Sequence, residues 1–169
     1  MAVIRFPRTV RLDHSDSSVF AHAAQAGEWA VTGTFAFADI PQDLLKGKTR
    51  QAFANGWLGV GSFGFATLVE VAEMGADDFD AVSLNLAEHF VQVYGAPSVD
   101  AALPVARDEV SYASGLCNHP LGTLLTISRE WKWRGIREKI SLVPGFDEDR
   151  DEPVKAWKIV GEQSLPIGA

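Results

Sequence analysis

Apolar and polar side chains alternate over several short stretches of the chain, which is the period of a half-buried β-strand. In the first stretch, Ile4 and Phe6 fall on even positions and Arg5 lies between them. Two later stretches are separated only by residues 132–135, a spacing typical of a β-hairpin. The pattern predicts strands over residues 3–12, 28–39, 63–71, 124–131 and 136–143, with a last candidate at 154–160.

Other segments place apolar residues at the three- and four-residue spacing of an amphipathic helix. In one of them Val82, Leu86 and Phe90 share a face, and Gly95 followed by Pro97 would end the helix. The pattern predicts helices over residues 41–55, 77–94 and 98–117, with a short helical turn at 19–24.

The order of these elements is strand, strand, helix, strand, two helices and then two or three strands. This irregular order favours an α+β fold over the strict alternation of a doubly wound parallel fold. We therefore expect a mainly antiparallel sheet covered on one face by two or three helices. Residues 1–143 would form a single domain, and residues 144–169 an acidic loop and C-terminal tail with the candidate last strand.

Composition and charge narrow the classes of function. The 169 residues are 47% hydrophobic, which suffices for one substantial core. The net charge of -7 opposes binding to nucleic acid or an anionic membrane, because both need clustered Lys and Arg. Cys117 is the single cysteine and excludes an internal disulfide. Since neither an export signal nor an apolar run of about 20 residues is visible, we expect a cytoplasmic protein.

The stretch G-V-G-S-F-G at residues 59–64 has the letter pattern of a dinucleotide-binding turn. That turn follows a strand and opens a helix whose N-terminus faces the pyrophosphate. Here the preceding segment has helical spacing and the following one alternates. We therefore interpret these glycines as loop and bend residues, with nucleotide binding as the alternative if they prove to precede a helix. No cofactor and no metal is implied elsewhere.

Cys117 and His119 form the most suggestive pair of reactive side chains, because a thiol and an imidazole two residues apart can act as nucleophile and base. Asp13 and His14, in the first polar turn, could complete a catalytic group. The alternative is structural, since the end of a helix raises the pKa of a thiol and a His there can bond helix carbonyls. For Asp13 and His14 the alternative is also structural, because Asp and Ser are residue types that form turns and helix caps.

Four stretches together resemble a family of small proteobacterial proteins of unknown function. They are R-T-V-R-L-D at residues 8–13, G-E-W-A-V at 27–31, F-A-F at 35–37 and L-C-N-H-P-L-G-T-L-L at 116–125. The resemblance covers residues 8–143 and implies a single cytoplasmic bacterial domain. It implies no catalytic residues.

Two functions remain open from the sequence. The first is a non-catalytic binding or accessory protein that acts through an aromatic-rich sheet face, on which Trp131 and Trp133 share a parity with Arg129. Its partner would be another protein or a second copy in a homodimer, and a small-molecule ligand is the further option. The alternative is a small-molecule enzyme with a pocket near Cys117 and His119.

Overall fold

The fold is described from a computed structural model, which covers residues 3–11, 15–133, 135–143 and, for the backbone alone, 158–165. Within these ranges, two 3-10 helices, Thr34–Phe37 and Gln42–Leu44, accompany the longer elements. These are β1 (Ile4–Val10), α1 (Ser15–Val19), β2 (Ala30–Val31), α2 (Gly47–Asn55), β3 (Trp57–Gly59), β4 (Phe65–Ala66), β5 (Leu68–Met74), α3 (Ala76–Tyr94), α4 (Val99–Gly115), β6 (Leu124–Lys132), β7 (Gly135–Leu142) and β8 (Lys158–Leu165).

Two antiparallel sheets organise these elements. The larger has the strand order β1-β5-β6-β7-β8 and the smaller the order β2-β3-β4. Helices α3 and α4 pack on each other, and α2 packs on β6. The expected α+β class with a mainly antiparallel sheet is therefore confirmed.

The hairpin of β6 and β7 follows the predicted alternation. Leu125, Ile127 and Arg129 are buried, while Ser128 between the last two is exposed. One face of the strand therefore points into the core. Ile127 pairs with Ile140 across the hairpin, and Ile140 is also fully buried. Strand β8 pairs with the other edge of β7. It overlaps the predicted last strand at residues 158–160 and ends at Leu165, and residues 154–157 of that prediction lie outside the described chain.

Helices α3 and α4 match their predictions because both carry strong end signals. Gly95 ends α3 with a φ of 74°, a left-handed conformation that glycine adopts readily. The Ser98 hydroxyl accepts a hydrogen bond from the Ala101 amide and so caps the start of α4. Their apolar faces meet in one core cluster with Phe6 and Met74 of the sheet.

The predicted strand over residues 28–39 is wrong beyond β2. Gly33 has a φ of 77°, and a Cβ atom there would lie 2.5 Å from the Leu58 Cβ. The chain turns at this glycine into the 3-10 helix Thr34–Phe37, which the apolar alternation of Phe35 and Phe37 does not reveal.

Three smaller predictions are also displaced. The predicted strand 63–71 is divided between β4 of one sheet and β5 of the other. Gly47, with a φ of 59°, starts α2 and separates it from the 3-10 helix Gln42–Leu44, so the predicted helix 41–55 is two elements. The helical turn expected at 19–24 lies earlier, in α1.

The aromatic side chains of the sheets face the protein's own core. Phe6 and Trp57 are fully buried, and Trp131 stacks on Phe53 of α2 with ring centroids 5.6 Å apart. Trp133 lies in the turn after β6 and is 82% exposed. The chain itself therefore covers the sheet aromatics at Phe6 and Trp57 and part of Trp131, while Trp133 of the predicted face stays exposed.

Candidate functional site

Cys117 lies just after the last residue of α4, with its side chain 1% exposed. Burial raises the pKa of this thiol to about 12, so it is not ionised at neutral pH. The His119 amide donates a 2.8 Å hydrogen bond to the Cys117 carbonyl, and the Arg5 guanidinium donates to the His119 carbonyl at 2.6 Å. These contacts fix a backbone turn between α4 and β6.

Two of the four predicted site residues, Cys117 and His119, lie within the described chain. Cys117 and His119 are joined through their backbones, and Asp13 and His14 lie outside the described residues. A catalytic role for these four residues thus stays a prediction.

We expect Cys117 in the folded protein to resist an aromatic disulfide reagent at about pH 8, because the reagent needs an accessible thiolate. The thiol should react fully once the protein is unfolded in guanidinium, which serves as the control. The release of the coloured thiol measures both. Stoichiometric reaction of the native protein within minutes would contradict a buried, protonated thiol.

The glycine stretch at residues 59–64 connects β3 to β4, and Glu28 reaches into it. The Glu28 carboxylate accepts hydrogen bonds from the Ser62 amide at 2.6 Å, the Ser62 hydroxyl at 2.7 Å and the Gln25 amide at 2.5 Å. A Cβ atom on Gly59 or Gly61 would lie 2.9 or 2.8 Å from the same carboxylate. The glycines make room for an internal carboxylate.

A strand and not a helix follows this glycine stretch, so the condition for the dinucleotide interpretation is not met. Gly64 has a separate role, because its Cα lies against the backbone of Ala23 and Ala24. The glycine pattern is thus explained by the close approach of the Glu28 carboxylate and of the backbone of residues 23–24 to these positions.

Arg129 of β6 is a buried cation, with its residue 5% exposed. One terminal nitrogen donates to the carbonyls of Ala52, Phe53 and Gly56, at 3.2, 3.0 and 2.9 Å, and the other donates to the Thr32 carbonyl. The first three acceptors lie at the C-terminal end of α2, where free carbonyls need donors. Arg129 therefore fastens α2 to the large sheet.

Glu138 of β7 pairs with Arg129 in the strand register and is 1% exposed. Thr34 connects the two: Arg129 Nε donates to the Thr34 Oγ1 at 2.7 Å, and this hydroxyl donates to Glu138 Oε2 at 2.8 Å. Burial lowers the pKa of Arg129 to about 10, which leaves it charged at neutral pH. Burial also raises the pKa of Glu138, against the opposing effects of Arg129 and the Thr34 hydrogen bond.

A cavity of about 430 Å³ lies between the 3-10 helix Thr34–Phe37, the end of α3 and the first half of α4. We call it the α3/α4 pocket. Its size falls within the range of small-molecule sites. Asp39 and Glu109 bring carboxyl groups to it, and its apolar lining includes Phe35, Phe90, Tyr94, Ala101, Ala102 and Val105.

Three aromatic side chains form one wall of the α3/α4 pocket. The Phe35 ring meets Phe90 and Tyr94 edge to face, with centroids 4.9 and 5.6 Å apart. Behind them, His89 lies edge-on to Tyr94 and stacks on Phe63 at 3.7 Å. These contacts hold the wall in place from both the 3-10 helix and the loop between β3 and β4.

Glu109 has an unusual electrostatic environment. Burial, then the neighbouring charges of Glu138 and Asp108, raise its pKa from the ordinary 4.5 to about 7. Across the described chain, no ion pair or hydrogen bond compensates its carboxylate. The Tyr112 hydroxyl is buried without a hydrogen-bond partner among the described residues, and burial followed by the charges of Glu138 and Glu109 raises its pKa. The inner side of the pocket therefore carries a negative charge when Glu109 is ionised.

Another cavity, of about 330 Å³, lies between α2 and β6. Its charged lining residues are Arg50, Glu130 and Arg129, and the last is already bonded to five protein acceptors. It therefore offers less unsatisfied chemistry than the α3/α4 pocket, which we take as the candidate site.

The described residues contain no group of three or more His, Cys, Asp and Glu side chains placed to hold a metal ion. Among the helices in the described ranges, none has both the length and the apolar character needed to cross a bilayer.

These observations define an α+β protein in which two packed helices and a 3-10 helix border an open, mostly apolar pocket, and the described residues do not compensate the carboxylate of Glu109 in its lining. The chain belongs to an uncharacterised family, because the model of the Family of unknown function (DUF6505) matches residues 4–154. The expected resemblance to such a family is confirmed. No curated protein and no solved structure matches the chain.

The sequence reasoning missed Arg129, Glu138 and Glu109 as the main charged groups of the interior. The strand alternation contains the signal for the first, since Arg129 shares its parity with the buried Leu125 and Ile127. On α4, Glu109 follows Ala106 by three residues and therefore adjoins the buried stripe of that helix. In both elements the available clue was a charged residue at a position that the periodicity of the apolar residues places next to the core.

The variant Glu109→Gln should raise the free energy of unfolding at about pH 8 by on the order of 2 kcal/mol, allowing for solvent screening. The folded state holds the Glu109 proton more tightly than the unfolded state, because its pKa rises from 4.5 to about 7. The contribution of the Glu109 side chain to the free energy of unfolding is therefore fully present below pH 4.5 and is lost as the pH rises to about 7.

Urea unfolding at a series of pH values measures this effect. Glu88, at an exposed position of α3 outside the pocket lining, supplies the matched control, since Glu88→Gln should change stability by less than about 0.5 kcal/mol. Equal pH profiles for Glu109→Gln and the wild type would contradict the assigned environment.

Proposed function

We propose that the protein is a non-catalytic binding protein whose ligand is a small molecule held in the α3/α4 pocket. The observation that carries the proposal is the pocket itself, in which a mostly apolar wall surrounds an uncompensated carboxylate at Glu109. Small-molecule sites combine such a wall with a few polar groups that fix orientation.

The location differs from the sheet face expected from the sequence. The sheet aromatics Phe6 and Trp57 are buried in the core, whereas Tyr94 and Val105 at the pocket are 43% and 55% exposed. Exposed apolar side chains that line a cavity are available to a ligand without rearrangement of the core.

The alternative enzyme near Cys117 and His119 receives no support from a specific observation. Its thiol is buried with a raised pKa, and the cavity of about 420 Å³ beside it is lined by Val3, Arg5 and Asn118 among others. Catalysis by proton transfer at Glu109 would need a second reacting group beside it. No observation on the described residues favours such a reaction over the binding of a ligand alone.

A titration with 2-phenylethanol, followed by amide NMR, tests the proposal. We expect shifts concentrated at the pocket, for example at Phe90 and Val105. Ala101→Phe should abolish them by filling the cavity from its exposed rim, while Ala81→Phe, at an exposed position of α3 outside the lining, should bind as the wild type does. Shifts that are absent from the pocket, or unchanged in Ala101→Phe, would contradict the proposal.

A further inference from the structure

The α3/α4 pocket has a one-sided charge. Two carboxyl groups, from Asp39 and Glu109, line it, and its described lining includes no Lys, Arg or His. The whole chain carries a net charge of -7, so no distant surplus of positive charge offsets this local field. An anionic ligand would therefore meet repulsion from the pocket and from the protein as a whole.

The same pocket is rich in aromatic rings. Phe35, Phe90 and Tyr94 belong to its wall, and burial followed by the nearby charge of Asp39 raises the pKa of the Tyr94 phenol. Aromatic rings attract a cation through their negative faces, with about 0.5–2 kcal/mol per contact depending on desolvation. Carboxylates and rings in one cavity favour the same ligand charge.

We propose that the α3/α4 pocket binds an organic cation, namely an ammonium group carried on a compact apolar body about the size of one phenyl ring. This inference deepens the proposed function and rests on it. The ammonium group pairs with Glu109 and Asp39, and the apolar body lies against the ring of Phe35 and the side chain of Val105.

Pairing with a cation would also compensate the negative charge of the Glu109 carboxylate. Its carboxylate is partly buried beside Glu138 of β7 and Asp108 of its own helix, with the Tyr112 hydroxyl nearby, and no cation of the described residues compensates it. A bound ammonium supplies that compensation. Because the proton and the ammonium compete for one carboxylate, the affinity for the cation should rise as the pH increases from about 6 to 8.

Calorimetric titration with three probes of one shape tests the charge preference at about pH 8. They are 2-phenylethylammonium, 2-phenylethanol and 3-phenylpropanoate. We expect the ammonium to bind at least about tenfold more tightly than the alcohol, and the carboxylate to bind weakest. Glu109→Gln should remove most of the preference for the ammonium and Asp39→Asn part of it.

Asp80→Asn is the matched control, because it removes the same charge from an exposed position at the opposite end of α3. It should keep the full preference for the ammonium. Equal affinities of the wild type for ammonium and alcohol would overturn the cation inference and leave the proposed function standing.

Failure of all three probes to bind would overturn the proposed function and this inference with it. A preference for the ammonium that survives in the double variant Glu109→Gln and Asp39→Asn would overturn the inference alone, because the cation would then be recognised by other groups.

Discussion

Replacing Arg129 by Met should lower the free energy of unfolding by about 3–5 kcal/mol. The substitution removes the donors of three carbonyls at the end of α2 and of the Thr32 carbonyl. It also removes the cation opposite Glu138, which is 1% exposed and whose pKa burial already raises, so this carboxyl group must either stay charged without compensation or take up a proton. An uncompensated buried charge is among the most destabilising defects that one substitution can create.

Urea unfolding followed by tryptophan fluorescence measures the effect of Arg129→Met. Arg107→Met is the control, since Arg107 is exposed on α4 and its loss should cost less than about 0.5 kcal/mol. The double variant Arg129→Met and Glu138→Met should regain part of the loss, because neither member of the pair is then buried without the other. A loss below about 1 kcal/mol in Arg129→Met would contradict the role assigned to this residue.

The second large effect is expected for Gly64→Ala, which should lower the free energy of unfolding by about 3 kcal/mol. The added Cβ would lie 2.5 Å from the Ala23 carbonyl carbon and 2.6 Å from the Ala24 nitrogen, both backbone atoms. These atoms cannot move aside easily, since the Ala24 amide donates to the Phe65 carbonyl at 2.9 Å and the Phe65 amide to the His22 carbonyl at 2.9 Å.

Thermal unfolding of Gly64→Ala and of Gly115→Ala separates crowding from the general effect of replacing a glycine. At Gly115, the last residue of α4, a Cβ would meet no atom within 4 Å. Ala there should be neutral or stabilise the protein by up to about 1 kcal/mol. Equal stabilities of Gly64→Ala and the wild type would show that the glycine stretch has some other role.

The parts of the fold that the sequence predicted have strong local signals. Helix α3 has its acidic first turn and Gly95 at its end, and α4 has the Ser98 cap. The hairpin of β6 and β7 has a short turn and an alternation that is broken at Arg129 and Glu138. In each case local propensity and tertiary packing favour the same conformation.

The wrong predictions come from tertiary contacts that leave little trace in the local pattern. At Gly33 the close approach of Leu58 ends β2 and turns the chain into a 3-10 helix. Residues 63–71 alternate as one strand would, yet their two halves pair with different partners, β3 and β1. Alternation records which side chains are buried, and it does not record which strand lies alongside.

The candidate site could not be predicted from the sequence because its groups converge from separate segments. Asp39 follows a 3-10 helix that was expected to be a strand, and Glu109 adjoins a helix face whose partner was unknown. Glu28 illustrates the same limit, since its carboxylate explains the glycine stretch 34 residues later in the chain. Such pairings follow from the tertiary fold alone.

Native mass spectrometry of the protein purified from its own host, beside Ala101→Phe purified in the same way, tests the central claim most directly. We predict that the wild type retains a small organic molecule that Ala101→Phe lacks, because the variant fills the α3/α4 pocket. Identical spectra of the two proteins, whether bare or with the same polypeptide partner, would contradict the claim that this pocket is the binding site.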